Sequence, residues 1–333
     1  MTPMPTTVRA RHDPTLAARV VRSVLLLYEA GADSALDRPA HVRAASGVVR
    51  VGERLVVVQD DANFIALADP DTGRVAAVTL PPGEGGARQF DDLRGNKRFK
   101  LDLESCELLG DGDGREMLVA FGSGSTPLRE KIVLARGLYD PEPQIEVVGA
   151  SALYALLRTQ TDFAGSELNV EGAALTGGVL RLFNRGNGAP HGDLRPVNAT
   201  CDLDLDALLA FLRDPALPPP APRSIVQYEM GEVDGFPLTF TDAAAWGDAI
   251  LFTAAAEDSP DATRDGPVAA SAIGVIRGGD ARWCVARNAD GSRYAGKIEG
   301  IQPRAGGRAW VVIDRDEPGT PSELSEVVLE GDW

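Results

Sequence analysis

The chain of 333 residues carries 33 Lys+Arg against 49 Asp+Glu, a net charge of −16 that works against binding a nucleic-acid backbone or an anionic membrane surface. With 44% hydrophobic and 25% charged residues it has the composition of a soluble globular protein and is too apolar for a disordered one. Its 36 Gly and 23 Pro, against 10 Phe, 5 Tyr and 4 Trp, predict many turns and disfavour a long-helix architecture.

In chain order, Met1–Ala10 lacks the apolar run of a secretory leader, and Val20–Tyr28 is too short and too interrupted to span a membrane. The expectation is a cytoplasmic protein. Arg22–Tyr28 (RSVLLLY) reads as an apolar strand. From Ser46 onward one unit recurs: a small or acidic residue, an apolar run, a Gly-containing turn, a second apolar run and a polar loop. The second runs and their loops are GERLVVVQDDAN, GREMLVAFGSGS, GGVLRLFNRGN, GDAILFTAAAED and GGRAWVVIDRDE. Taking Ser46, Glu104, Glu171, Asp242 and Glu299 as phase markers, the copies are 58, 67, 71 and 57 residues apart. Each copy reads as a β-hairpin. A second hairpin follows in several, most plainly Phe64–Ala68 and Arg74–Leu80 around Pro70-Asp71-Thr72-Gly73.

Four strands per roughly 60 residues, repeated, point to an all-β fold, a β-propeller of five blades. The last copy is one strand short after Glu323–Leu329, and Arg22–Tyr28 could supply it and close the ring. A sixth blade would have to come from extra material such as Ala150–Leu157. The whole chain, 1–333, then forms a single domain. An insertion at about 202–223 holds a helix, Asp202–Arg213, with Leu205, Leu208, Leu209 and Leu212 on one side, and a Pro-rich connector. Asp111-Gly112-Asp113-Gly114 reads as a hairpin turn. Cys106, Cys201 and Cys284 are odd in number, widely spaced and without a CxxC pair, so buried reduced thiols are expected.

In an antiparallel hairpin the start of the first strand and the end of the second share one edge. The markers therefore share a rim with Asp60–Asn63, Gly122–Arg129, Asn184–Asp193 and Asp314–Glu317. If the markers begin the innermost strands, Glu104, Glu171, Asp242 and Glu299 converge on the channel mouth. Such a cluster needs a partner. A hard divalent cation, Ca²⁺ or Mg²⁺, suits oxygen ligands, with Asp61 or Asp314 completing the set. Lysines compete for that place, since Lys100 alternates with Asp102 and Glu104, and Lys297 with Glu299. The acids can also simply hold neighbouring backbone amides. The loop Gly122–Ser125 with Arg129 offers an anion cradle, and His191 is the histidine best placed as a general base.

KLDLES (100–105), AFGSGSTPLR (120–129), LNVEGAAL (168–175), KIEGIQ (297–302) and VVIDRDEPGTPSEL (311–324) resemble an uncharacterised bacterial β-propeller family. That family is similar in turn to esterase-like phytase-associated domains and to SMP-30/gluconolactonase-type propellers. The resemblance implies a central-channel site that binds calcium or another divalent ion and hydrolyses lactones or esters. Ser46 and Asp242 depart from the glutamate of the other copies, so no complete ligand set carries over.

Two functions are expected from these features. One is a metal-dependent hydrolase of a small anionic ester, lactone or phosphoester, with Glu104, Glu171 and Glu299 on the cation. Lys100 and Arg129 would orient the substrate, and His191 or a carboxylate would take the proton. The other is a non-catalytic binding or scaffold module presenting its rim to a ligand or a protein partner.

Overall fold

The computed structural model of the chain describes residues 5–111, 114–258, 261, 266–315 and 317–333. Gly112 and Asp113, the centre of the expected Asp111–Gly114 turn, and Asp316 of the last rim loop lie outside the described residues. The strands fall into five antiparallel four-stranded units. Unit 1 is Ala45–Val51, Arg54–Gln59, Phe64–Ala68 and Arg74–Thr79; unit 2 is Leu103–Gly110, Glu116–Gly122, Lys131–Arg136 and Gln144–Gly149. Unit 3 is Val170–Thr176, Val179–Asn184, Asn198–Asp204 and Arg223–Glu229; unit 4 is Phe236–Trp246, Ala249–Glu257, Val268–Arg277 and Asp280–Asn288. Unit 5 combines Lys297–Arg304, Arg308–Asp314 and Glu323–Glu330 with the N-terminal strand Ala17–Leu25. The first strands pack side by side from unit 1 to unit 5, and unit 5 returns against unit 1. This is the β-propeller arrangement.

Local sequence explains the hairpins. Gly177 and Gly178 both hold left-handed backbone, φ 54° and 84°, and make the two-residue turn that continues the strand twist. The second strands are buried on both faces, as in Arg54–Gln59 and Ala249–Glu257, because each unit is covered by a neighbour on either side. The core accordingly divides into five apolar clusters, one per interface between adjoining units. Between units 3 and 4, Phe183, Phe240 and Phe252 stack edge to face at 5.2 and 5.3 Å. Gly300 shows how closely the inner strands approach: a Cβ there would lie 2.2 Å from the carbonyl oxygen of Ser46 in unit 1.

The ring is closed by an N-terminal strand, but an earlier one than Arg22–Tyr28. Ala17–Leu25 makes the closing pairs, and Leu27–Tyr28 crosses to lie parallel to Arg74–Val75 of unit 1. Ahead of it, Thr6–Arg9 pairs with the outer strand of unit 3 and Arg11–His12 with that of unit 4. Ala150–Leu157 contributes no strand: Ser151–Thr159 (α1) and Thr161–Ala164 (α2) are helices packed between units 2 and 3. The expected helix is shorter than Asp202–Arg213. Asp202–Asp204 finish a strand, Asp204 caps the helix by accepting from the Ala207 amide, and Leu205–Arg213 (α3) follows. All three cysteines are buried and free. Among the described residues no helix is long and apolar enough to cross a membrane.

Gly300→Ala should cost about 2–3 kcal/mol in urea unfolding, because neither the Ser46 backbone nor the buried Val312 can move away. Gly110→Ala, whose Cβ would meet nothing within 4 Å, should change stability by less than about 0.5 kcal/mol.

A candidate carboxylate centre at the channel mouth

The first strand of every unit carries a β-bulge, near its start in units 1, 2, 3 and 5 and at mid-strand in unit 4. The register shows the extra residue in each: Ser46 (with Gly47), Glu104, Glu171, Thr241 and Glu299. A bulge bends the strand and re-aims one side chain. Ser46, Glu104, Glu171 and Glu299 all line one cavity of about 30 Å³, room for a water molecule or two. The fourth marker corrects the sequence reading. Asp242 lies one residue past its bulge, so alternation turns its side chain away from the channel. Its buried carboxylate accepts from the Ile301 amide at 2.8 Å and ties unit 4 to unit 5.

Six acids and four bases line the cavity: Asp60, Asp102, Glu104, Glu171, Glu299 and Asp314 against Lys100, Arg129, Arg185 and Lys297. The bases are already engaged. Lys100 Nζ lies 2.6 Å from Asp60, 2.8 Å from Asp102 and 3.3 Å from Asp61. Arg129 lies 3.1 Å from Asp102 and also donates to Ser125 Oγ at 2.9 Å. Arg185 joins Glu171 at 3.4 Å to Glu257 of unit 4. Lys297 sits 2.8 Å from Glu299 and 3.7 Å from Glu257. Glu104 differs. Its hydrogen bond comes from Ser46 Oγ at 3.0 Å, and among the described residues no Lys or Arg stands within 4 Å of it.

The protonation pattern follows from this uneven pairing. Burial opposes the charge of Asp102, but Lys100 and Arg129 outweigh it and bring the carboxyl down to about 2. Burial pushes Glu104 well above the usual carboxylate range, and Asp60, Glu171 and Asp102 push it further. Burial likewise lifts Glu171 to about 8 despite Arg185, with Glu299 repelling it. Asp60 is raised well above the ordinary value and Glu299 is raised, burial again leading in both; Lys100 opposes the first and Lys297 the second.

Of the residues singled out in the sequence, Glu104, Glu171, Glu299, Asp314, Lys100 and Arg129 meet at this cavity. Asp61 stands just behind it, between Lys100 and Arg43. His191 is exposed in its loop and does not line the cavity. Gly122–Ser125 is not arranged as an anion cradle, because the Ser123 amide donates to the Asp102 carbonyl and the Ser125 amide to Ser123 Oγ. Glu257, Asn169 and Asn187 escaped the sequence reading. Asn169 donates to Glu171 at 2.6 Å. A usable signal lay at the ends of the second strands, where Asp60, Ser123, Arg185 and Asp314 occupy matching positions just outside the pair that precedes the bulge. The tightest group of acids that could share one ion is Asp60, Asp102 and Glu104, with ligand atoms within 4.8 Å of one another.

The family model that matches the sequence, over residues 41–329, is that of a family of unknown function (DUF6929). No curated protein matches. Similar solved structures include the glutaminyl cyclase of Myxococcus xanthus, at 12% identity and TM-score 0.46 over 98% of this chain and 100% of that one. A luciferin-regenerating enzyme is similar at 9% identity and TM-score 0.45, over 88% and 94%. An exo-1,5-α-L-arabinanase from a bovine ruminal metagenomic library is similar at 11% identity and TM-score 0.44, over 88% and 98%. None of these likenesses bears on activity.

Glu171 gives the centre a pH signature. A carboxyl at about 8 in the folded chain and about 4.5 in the unfolded one keeps a proton that unfolding releases, so stability falls as pH rises between those values. In chelator-treated protein, Glu171→Gln should therefore gain on the order of 2–4 kcal/mol over the unaltered chain at pH 8 and nothing at pH 4, measured by urea unfolding.

Proposed function

We propose that this chain, which belongs to the DUF6929 family of unknown function, holds Ca²⁺ or Mg²⁺ at the channel mouth and hydrolyses a small ester, lactone or phosphoester there. The observation that carries this reading is the charge imbalance of the cavity, six carboxylates against four bases, with Glu104 beyond the reach of any of them. The buried Glu299 Oε2 also has no hydrogen-bond partner. Carboxylate oxygens are the donors a hard divalent ion prefers, and an ion bound there would displace the protons that burial leaves on Glu104 and Glu171. Asp60, Asp102 and Glu104 would hold it, with Glu171 and Glu299 on the same cavity. A divalent cation supplies electrophilic polarisation and a water of lowered pKa.

The chain's own residues divide the remaining work. Lys100, enclosed by three carboxylates, balances their charge rather than orienting a substrate anion. Glu171, lifted into the neutral range, fits the proton-taking role better than the outlying His191. A small anionic ligand would have to be met by Arg129, whose guanidinium already serves Asp102 and Ser125.

The second reading is a non-catalytic module whose cluster only joins its units. It is favoured by one observation: Lys100 and Lys297 already sit among the acids as resident cations. Metal analysis and thermal unfolding separate the two. The hydrolase reading expects stoichiometric Ca²⁺ or Mg²⁺, a midpoint about 5 °C higher at a hundredfold excess over Kd, and loss of both in Glu104→Gln. Protein that retains no ion and shows no shift with either cation would leave the scaffold reading.

A further inference from the structure

The outer strands of units 1, 3, 4 and 5 all pair further, wholly or at one end. That of unit 1 meets Leu27–Tyr28, that of unit 3 meets Thr6–Arg9 and that of unit 4 meets Arg11–His12. Ala17–Leu25, the outer strand of unit 5, pairs with the end of unit 4. Among the described residues, the outer strand of unit 2, Gln144–Gly149, has no partner on its far side. One bond sets the direction of its backbone groups. The Ala150 amide donates to the Glu130 carbonyl at 3.0 Å, which makes residues 150 and 130 a hydrogen-bonded pair of the antiparallel ladder. Alternation then turns Val148, Glu146 and Gln144 toward that ladder. The N–H and C=O groups of Ile145, Val147 and Gly149 are left pointing outward, where a further strand would take them.

The side chains along this edge select what can pair there. Ile145 and Val147 face unit 1 and pack on the core cluster between units 1 and 2. A groove of about 520 Å³ continues that face, with Leu67, Val78, Leu138, Pro143 and Ile145 among its walls. Arg54, the base of the groove, donates to the Leu67 carbonyl at 3.1 Å. Gln144 and Glu146 point to the other face and are exposed. Asp140 and Glu142, just ahead of the strand, are exposed too. Among the described residues, neither they nor Glu146 forms an ion pair with a Lys or Arg. The bases of the neighbouring strand, Lys131 and Arg136, stand opposite the two ends of the edge, Gly149 and Gln144, so its middle is acidic.

We propose that this edge docks an extended basic segment of another protein as an added strand of unit 2. Apolar residues of the segment stand opposite Ile145 and Val147 and enter the groove, while Lys or Arg at the alternate positions stands opposite Glu146. Charge decides against a second copy of this chain. Antiparallel self-pairing would set Glu146 and its acidic neighbours against the same acids of the other copy. The edge lies on the outside of the ring, so the proposal stands whether or not the channel mouth holds a cation.

The test uses the full chain in chelator and two fluorescein-labelled peptides of equal charge, KVKVKVK and KKKKVVV, at about 0.1 M salt to screen long-range attraction. By fluorescence anisotropy the alternating peptide should bind saturably and the block peptide at least about tenfold more weakly, because only alternation places apolar and basic residues on opposite faces. Glu146→Lys should weaken binding about fivefold or more, and Glu232→Lys, the same charge change at an exposed site in unit 4, should leave it unchanged. Val147→Pro removes an outward N–H and spares the ladder inside; it should cost at least about tenfold in binding while circular dichroism is retained. On adding KVKVKVK, hydrogen exchange should slow at the Ile145 and Val147 amides. Equal binding of the two peptides, binding indifferent to both Glu146→Lys and Val147→Pro, no binding, or sedimentation showing a dimer that Val147→Pro dissociates would overturn the proposal.

Discussion

Taking a carboxylate out of water is the cost around which this molecule is arranged. Bulges in the inner strands bring glutamates from units 2, 3 and 5 to one cavity, where burial alone would neutralise them. Lys100, Arg129, Arg185 and Lys297 keep part of the set ionised, and each is itself buried only because acids surround it. These pairs run across unit boundaries as well as within units. Lys100, from the segment leading into unit 2, grips Asp60 of unit 1; Arg185 of unit 3 and Lys297 of unit 5 both reach Glu257 of unit 4. The charges of the centre are therefore also part of what holds the ring in register.

Much of this was legible in the sequence, and the errors have physical reasons. Period-two apolar runs around Gly turns fixed the hairpins closely, with Phe64–Ala68 reproduced residue for residue. A bulge, however, shifts phase by one residue without leaving a mark in composition. In unit 4 the acid at 242 attracted the marker, although the bulge lies at Thr241 and the acid faces unit 5. Lys100 and Asp102 were read as part of a strand with Glu104. The strand begins only at Leu103, and left-handed backbone at Asp102 (φ 59°) precedes it, yet the three still meet. Glu257 was missed because its role depends on Arg185 and Lys297, 72 and 40 residues away, and no local pattern records such a partnership.

The N-terminal arm was legible only as a single strand, because two- to four-residue parallel pairings have no periodicity to detect. Its consequence is larger than its length. By pairing in turn with the outer strands of units 3 and 4, completing unit 5 and touching unit 1, it covers edges that would otherwise offer free backbone groups to another chain. The closing strand comes from the opposite end of the sequence to the unit it completes. Ring closure thus ties the apolar interfaces and the buried charges into one cooperative structure.

The charge pairing is uneven around the ring. Units 3, 4 and 5 are joined through Arg185, Glu257 and Lys297, and units 1 and 2 through Lys100. Between units 2 and 3, Glu171 adds to the push that raises Glu104, and backbone groups join the units where the Val170 amide donates to the Ser123 carbonyl. The same Ser123 carries the hydroxyl that links Asp102 to Ser125. Glu104, the carboxyl without a Lys or Arg beside it, thus stands between the hydroxyl of Ser46 in unit 1 and the carboxyl of Glu171 in unit 3.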